Sequence, residues 1–197
     1  MTIQLQKFIE THQPGRNLEK ADPEKVSRYN PYLPKCLLEL WTQYGYGLYG
    51  GGLIQLIDPD IYRENLWGWL MREEEDMDRL PIALSAFGDV FYYRRLSENG
   101  DEDISFLDPH TSEGGDIVWS LEDFFNDWCC NEEAISDFLN AAMLRESIAA
   151  KGDLENNQIY FFVPALRLGG QRSASTVDRG EALVHLDFLL QLALGQE

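Results

Sequence analysis

Apolar residues recur at helical spacing near both ends of the chain and in short strand-like runs through its middle. Ile3, Leu5, Phe8 and Ile9 make a short stripe before Pro14-Gly15. Asp22-Pro23-Glu24 reads as an N-cap, a first helical proline and an acidic first turn. Pro34 opens a stronger helix through Tyr44, with Leu37, Leu38, Leu40 and Trp41 on one stripe and Gly45 just past its end. Tyr46 to Tyr49 and Leu53 to Ile57 flank Gly50-Gly51-Gly52, a hairpin pattern. Asp58-Pro59 starts a further helix carrying Ile61, Tyr62, Leu66, Trp67, Trp69 and Leu70.

The middle is strand signal. Leu80 to Phe87, Asp89 to Leu96, Asp103 to Leu107 and Asp116 to Trp119 are separated by Gly88, Glu98-Asn99-Gly100 and Glu113-Gly114-Gly115. Connections this short predict an antiparallel meander. Ser120, with an acid three residues later, caps a helix through Cys130, and a second helix is expected over 132–148. Ile159 to Leu166 reads as a strand, and Leu183 to Leu194 as an apolar segment that begins as strand and continues as helix. The order predicts an α+β fold, an antiparallel meander flanked by helices. Either one compact domain results, or an N-terminal helical and hairpin lobe (1–78) and a C-terminal α+β lobe (79–197).

Composition narrows the function. The 197 residues are 44% hydrophobic, which fits a globular chain. No run approaches the roughly 18 apolar residues of a membrane span, and the first residues lack the pattern of a secretory signal, so a cytoplasmic protein is expected. Cys36, Cys129 and Cys130 form no disulfide or zinc framework.

Charge changes the picture most. The formal net charge is -18, which leaves no basic surplus for nucleic acid or an anionic membrane. Between Leu96 and Leu144 there is no Lys or Arg against 13 acidic residues, so the window reads as a single-sign surface. A field of this sign attracts cations and basic proteins.

Candidate chemistry is thin. His185 and Asp187 suggest a base with its orienting carboxylate, but a structural histidine and a helix-capping acid fit the same residues. Gly45-Tyr46-Gly47 and Gly50-Gly51-Gly52 do not form a phosphate loop, since neither opens a helix after a strand. Asp58 with Asp60, or Asp101 with Asp103, lacks the further ligands of a calcium loop. The sequence therefore points to no enzyme, no metal and no cofactor. Trp41, Tyr44, Tyr46, Tyr49, Trp67 and Trp69 read first as core, with a few on the hairpin rim available as interface anchors.

Four segments together carry a resemblance: LPKCLLELWTQYGYGLYGGGLIQLIDPD (33–60), LPIALSAFGDVFYY (80–93), FFVPALRLGG (161–170) and VHLDFLLQLALG (184–195). In order and spacing the chain resembles the bacterial GAD-like family with its associated C-terminal domain. Some members of that family are immunity proteins of type VI secretion toxins, notably of a secreted DNase. The resemblance omits roughly the first twenty residues and the acidic middle. It implies a cytoplasmic antidote that binds a cognate toxin, and it names no contact residues.

Those come from charge. A nuclease site is basic because it holds phosphates, and an acidic partner can occupy it. The candidate toxin-binding residues are Glu98, Asp101, Glu102 and Asp103, followed by Glu73, Glu74, Glu75 and Asp76. Two other readings stay open. One is an accessory or regulatory interaction domain of a secretion system; the other is a ligand-binding or enzymatic module using the glycine hairpin and His185. Apolar surface on the C-terminal segment offers a contact for a homodimer.

Overall fold

Three capping residues start three helices as the sequence predicts. In the structure, a computed structural model that describes residues 4–195, Asp22 accepts the Lys25 amide and Asp58 the Asp60 amide. The Ser120 hydroxyl accepts the amide of Asp123. Ile3, part of the first predicted stripe, lies outside the described residues.

The N-terminal part comprises α1 (Gln6–Thr11), α2 (Pro23–Tyr29), α3 (Lys35–Gln43), the hairpin β1 (Gly47–Tyr49) and β2 (Ile54–Leu56), and α4 (Pro59–Trp69). Gly50, Gly51 and Gly52 all have positive φ, so the hairpin turn needs three residues free of a Cβ penalty. Then follow β3 (Arg79–Ser85), β4 (Val90–Arg95), β5 (Glu102–Asp108) and β6 (Glu113–Val118). The six strands form one antiparallel sheet in chain order, as expected of a meander, and it continues through residues 78 and 79 because β2 pairs with β3.

Both faces of this sheet are buried, and β4 shows how. Phe91 and Tyr93 belong to the larger core with Trp41, Phe8, Phe124 and Phe125. Val90 and Tyr92 face the opposite way, into a second core with Tyr62 and Leu66 of α4 and with Leu186. A strand covered on both sides reads as continuous apolar sequence, and Val90-Phe91-Tyr92-Tyr93 does so. Phe91 meets Phe124, Trp128 and Phe138 at ring distances of 5.2, 5.5 and 5.9 Å.

The C-terminal part departs from expectation in several places. The helix predicted over 132–148 is broken. A π-helical turn, Ala134–Phe138, ends at Leu139, and α6 (Ala141–Lys151) starts after Asn140, which adopts a left-handed φ of 53°. Packing of Phe138 on Phe91 and Phe106 sets the first segment, and the left-handed residue lets the chain change direction. The helix expected from Ser120 through Cys130 is short: the Ser120 cap opens α5 (Leu121–Asp123), which runs into a second π turn, Phe124–Trp128. The predicted strand to Leu166 ends at Phe162, giving β7 (Gln158–Phe162). Its partner β8 (Val177–Glu181) is the polar VDRGE, and the apolar segment after it is helical from its start as α7 (Ala182–Leu194). No helix among the described residues is long and apolar enough to cross a membrane.

The β3–β4 turn holds a buried acid. Asp89 accepts the Ser85 hydroxyl, and the Ser85 oxygen accepts the amides of Phe87 and Asp89. Lost hydration, and then the Asp108 charge, push the Asp89 carboxyl up to about 6. The folded state holds this proton more tightly than the unfolded chain. Asp89 therefore favours folding at low pH, and the benefit disappears as pH rises from 3.8 to about 6. Asp89→Asn is expected to remove that dependence, so wild type should lose roughly 3 kcal/mol relative to the variant across this window. Urea unfolding of both proteins at pH 4, 5, 6 and 7 checks it, and parallel stability curves would refute the assignment.

Candidate protein-binding surface

Antiparallel register brings two separate acidic segments to one end of the sheet. Arg79 of β3 lies opposite Arg94 of β4, and Arg94 opposite Asp103 of β5. The loop before β3 and the β4–β5 turn consequently share that end. Ile104 pairs with Val118, which puts Trp119, the residue after β6, there as well.

The loop before β3 is braced by its own charges. Arg72 and Arg79 contact the Asp76 carboxylate at 3.1 and 2.8 Å, and Asp76 also accepts the Asp78 amide. Arg95 of β4 reaches across to Asp78 at 2.6 Å and lies over the Tyr32 ring. With Asp76 occupied in this way, Glu73, Glu74 and Glu75 project as exposed residues.

The β4–β5 turn repeats the division of labour. Ser97 donates to Asp101 at 2.7 Å, the Leu96 amide bonds the Asp101 carbonyl, and Gly100 supplies a positive φ. Glu98 and Asp101 are exposed. Glu102 is half-buried and accepts both the Tyr93 hydroxyl and the Leu121 amide, which ties the turn to α5. Burial, followed by the charge of Glu102, pushes the Tyr93 hydroxyl upward. Asp103 is only 1% exposed and takes a two-pronged contact from Arg94 at 2.7 and 2.5 Å. The eight sequence-nominated acids thus separate into five that face outward and three, Asp76, Glu102 and Asp103, that hold the end in shape.

The acidic window is not uniformly outward. Asp103 and Asp108 are buried against Arg94 and Arg172, and Asp127 pairs with Lys7. All three cations lie outside the window, so the linear sequence does not reveal the neutralisation. Elsewhere the acids have a structural use: β6 is an edge strand, and Glu113 and Asp116 on it discourage pairing with another chain.

Two exposed apolar side chains accompany the outward acids. Trp119 is 72% exposed, and Leu96 opens the β4–β5 turn. Sequence reasoning missed Trp119 as a surface residue. Its signal was an aromatic placed between an edge strand and the Ser120 cap. The aromatics considered for the hairpin rim go mainly to the core: Trp41, Tyr46, Tyr49 and Trp67 are buried.

The other nominated chemistry takes structural roles. Asp187 accepts from Asn65 at 2.7 Å, while His185 stacks on Phe161 with ring centres 3.5 Å apart, so the two do not meet. Asp58 and Asp60 accept from Lys25, and Asp60 also from Arg28 and Tyr29. His12 bonds the Cys129 carbonyl at 2.8 Å, fastening α1 to the π turn, and burial lowers its pKa.

Comparison with known proteins fits this architecture. Residues 3–100 match the model of the GAD-like domain, and residues 120–193 match that of the C-terminal region of the T6SS immunity protein Tdi1. Among solved structures, that of Atu4351 from Agrobacterium tumefaciens superposes with a TM-score of 0.71 at 16% identity. The match covers 94% of this chain and 87% of that one. No curated protein matches the sequence significantly.

The division between bracing and outward acids has a measurable consequence. Arg94→Met strips a buried carboxylate of its partner and is expected to cost roughly 3 kcal/mol, the low side for such a loss because Arg94 is part-exposed. Glu98→Gln should change stability by less than about 0.5 kcal/mol. Chemical denaturation midpoints at constant m-value distinguish the two, and equal effects would contradict the division.

Proposed function

We propose, for a chain that belongs to the GAD-like family with a Tdi1-type C-terminal domain, that it is the immunity protein of a secreted type VI toxin. The observation that carries this reading is the match of residues 120–193 to the C-terminal region of an immunity protein. The target is a basic nuclease, and the protein works in the cytoplasm by covering the phosphate-binding site of the toxin. It acts by binding, without catalysis of its own.

The geometry supports a mode of binding. Glu73, Glu74, Glu75, Glu98 and Asp101 present carboxylates at one end of the sheet, where a groove built for phosphates finds the same charge. Trp119 and Leu96 supply apolar contact beside them, and tryptophan is the residue type most often found at the energetic centre of interfaces. Asp76, Glu102 and Asp103 keep the end rigid, so little order has to be created on association.

The test is co-expression with the product of the adjacent gene, followed by kinetics of the purified pair at several salt concentrations. Rescue of growth and a tight complex are expected, with an association rate that falls steeply as salt rises. Replacing Glu73, Glu74 and Glu75 together by Lys should slow association by about tenfold or more. Trp119→Ala should instead speed dissociation, by about 30-fold for a hot-spot loss near 2 kcal/mol. A complex without rescue would make the chain an accessory domain, and absence of a complex would sink the immunity reading. Salt-independent association would remove the acidic end from it.

A further inference from the structure

The opposite end of the molecule, away from the outward acids, carries a groove. It encloses about 390 Å³ between α7 and the segment after β7. Val163, Leu168, Val184 and Phe188 line it, and all four are exposed although large and apolar. Apolar surface gathered in this way marks a binding site more often than chance. The volume lies in the range of small-molecule pockets, which are apolar with a few placed polar groups.

One such polar group is present. His110, which lines the groove, is 3% exposed. Its Nε2 lies 3.0 Å from the Phe87 carbonyl, which can only accept, so Nε2 carries the proton. Burial lowers the His110 pKa and keeps the ring neutral, which leaves Nδ1 as a bare acceptor. That atom is buried and has no hydrogen-bond partner among the described residues. A buried acceptor left unpaired is costly, and an apolar partner surface pressed over the groove would leave it so.

We propose that this groove binds a small, largely apolar molecule of aromatic or branched aliphatic type, whose single hydroxyl or N–H donates to His110 Nδ1. The assignment is independent of the immunity reading. His110 sits in the β5–β6 turn, at the far end of the sheet from Glu98 and Trp119.

The test uses the full chain, ¹⁵N-labelled, titrated with 2-naphthol and with its methyl ether, which fills similar space and lacks the donor. Both should shift resonances around the groove, with 2-naphthol bound about fivefold or more tightly. The His110 Nδ1 resonance should move with 2-naphthol alone. His110→Phe should bring the two affinities together, and Val184→Asp, at a position 63% exposed and so tolerant of change, should weaken both. Equal affinities in wild type, an unmoved Nδ1 resonance, shifts away from the groove, or no binding at millimolar concentration would overturn the proposal, even if His110→Phe did not fold. So would a dimer abolished by Val184→Asp, or a toxin complex weakened by it, since the groove would then belong to a protein.

Discussion

Burial of both faces of a six-stranded meander is the constraint on which the rest depends. β4 sends Phe91 and Tyr93 to one core and Val90 and Tyr92 to the other, so the sheet is stable only when both sides are covered. The chain covers them with segments that are far apart in sequence. Phe8 of α1 meets Phe125 at 4.8 Å on one side, and α4 and α7 share the other with Tyr62, Leu66 and Leu186. The GAD-like and Tdi1-type stretches are therefore joined through side chains. Phe91 lies in the first and its neighbours Phe124, Trp128 and Phe138 in the second.

Local rules made much of this legible. Asp22, Asp58 and Ser120 announced their helices because a cap acts within three residues of itself. The meander followed from connections too short for any other pairing. What escaped was decided at long range. VDRGE has no strand pattern of its own and becomes β8 because β7 offers it a ladder. The break at Asn140 arises from where Phe138 packs, which no periodicity in 132–148 encodes.

The candidate surface shows the same boundary from the electrostatic side. The acidic runs were visible as composition, and their convergence required only the register of β3, β4 and β5. Which acids remained available was not visible, because Arg94, Arg172 and Lys7 reach in from outside the window. Asp103 illustrates the error in reading charge from sequence alone: nominated with Glu98 as a surface acid, it is almost fully buried under an arginine.

That arrangement also explains how so acidic a chain tolerates its charge. A net charge of -18 opposes folding through self-repulsion, and interior carboxylates add a desolvation cost. Arginines contact the buried Asp103 and Asp108 and the half-buried Asp76, while the buried Asp89 has the Ser85 hydroxyl as its partner. Exposed acids such as Glu73 to Glu75 are left to water, which solvates them well. Because these exposed acids hold no internal ion pair that would have to be broken, an incoming basic surface can pair with them at the least cost to the fold. Stability and recognition are served by different carboxylates at one end of the same sheet.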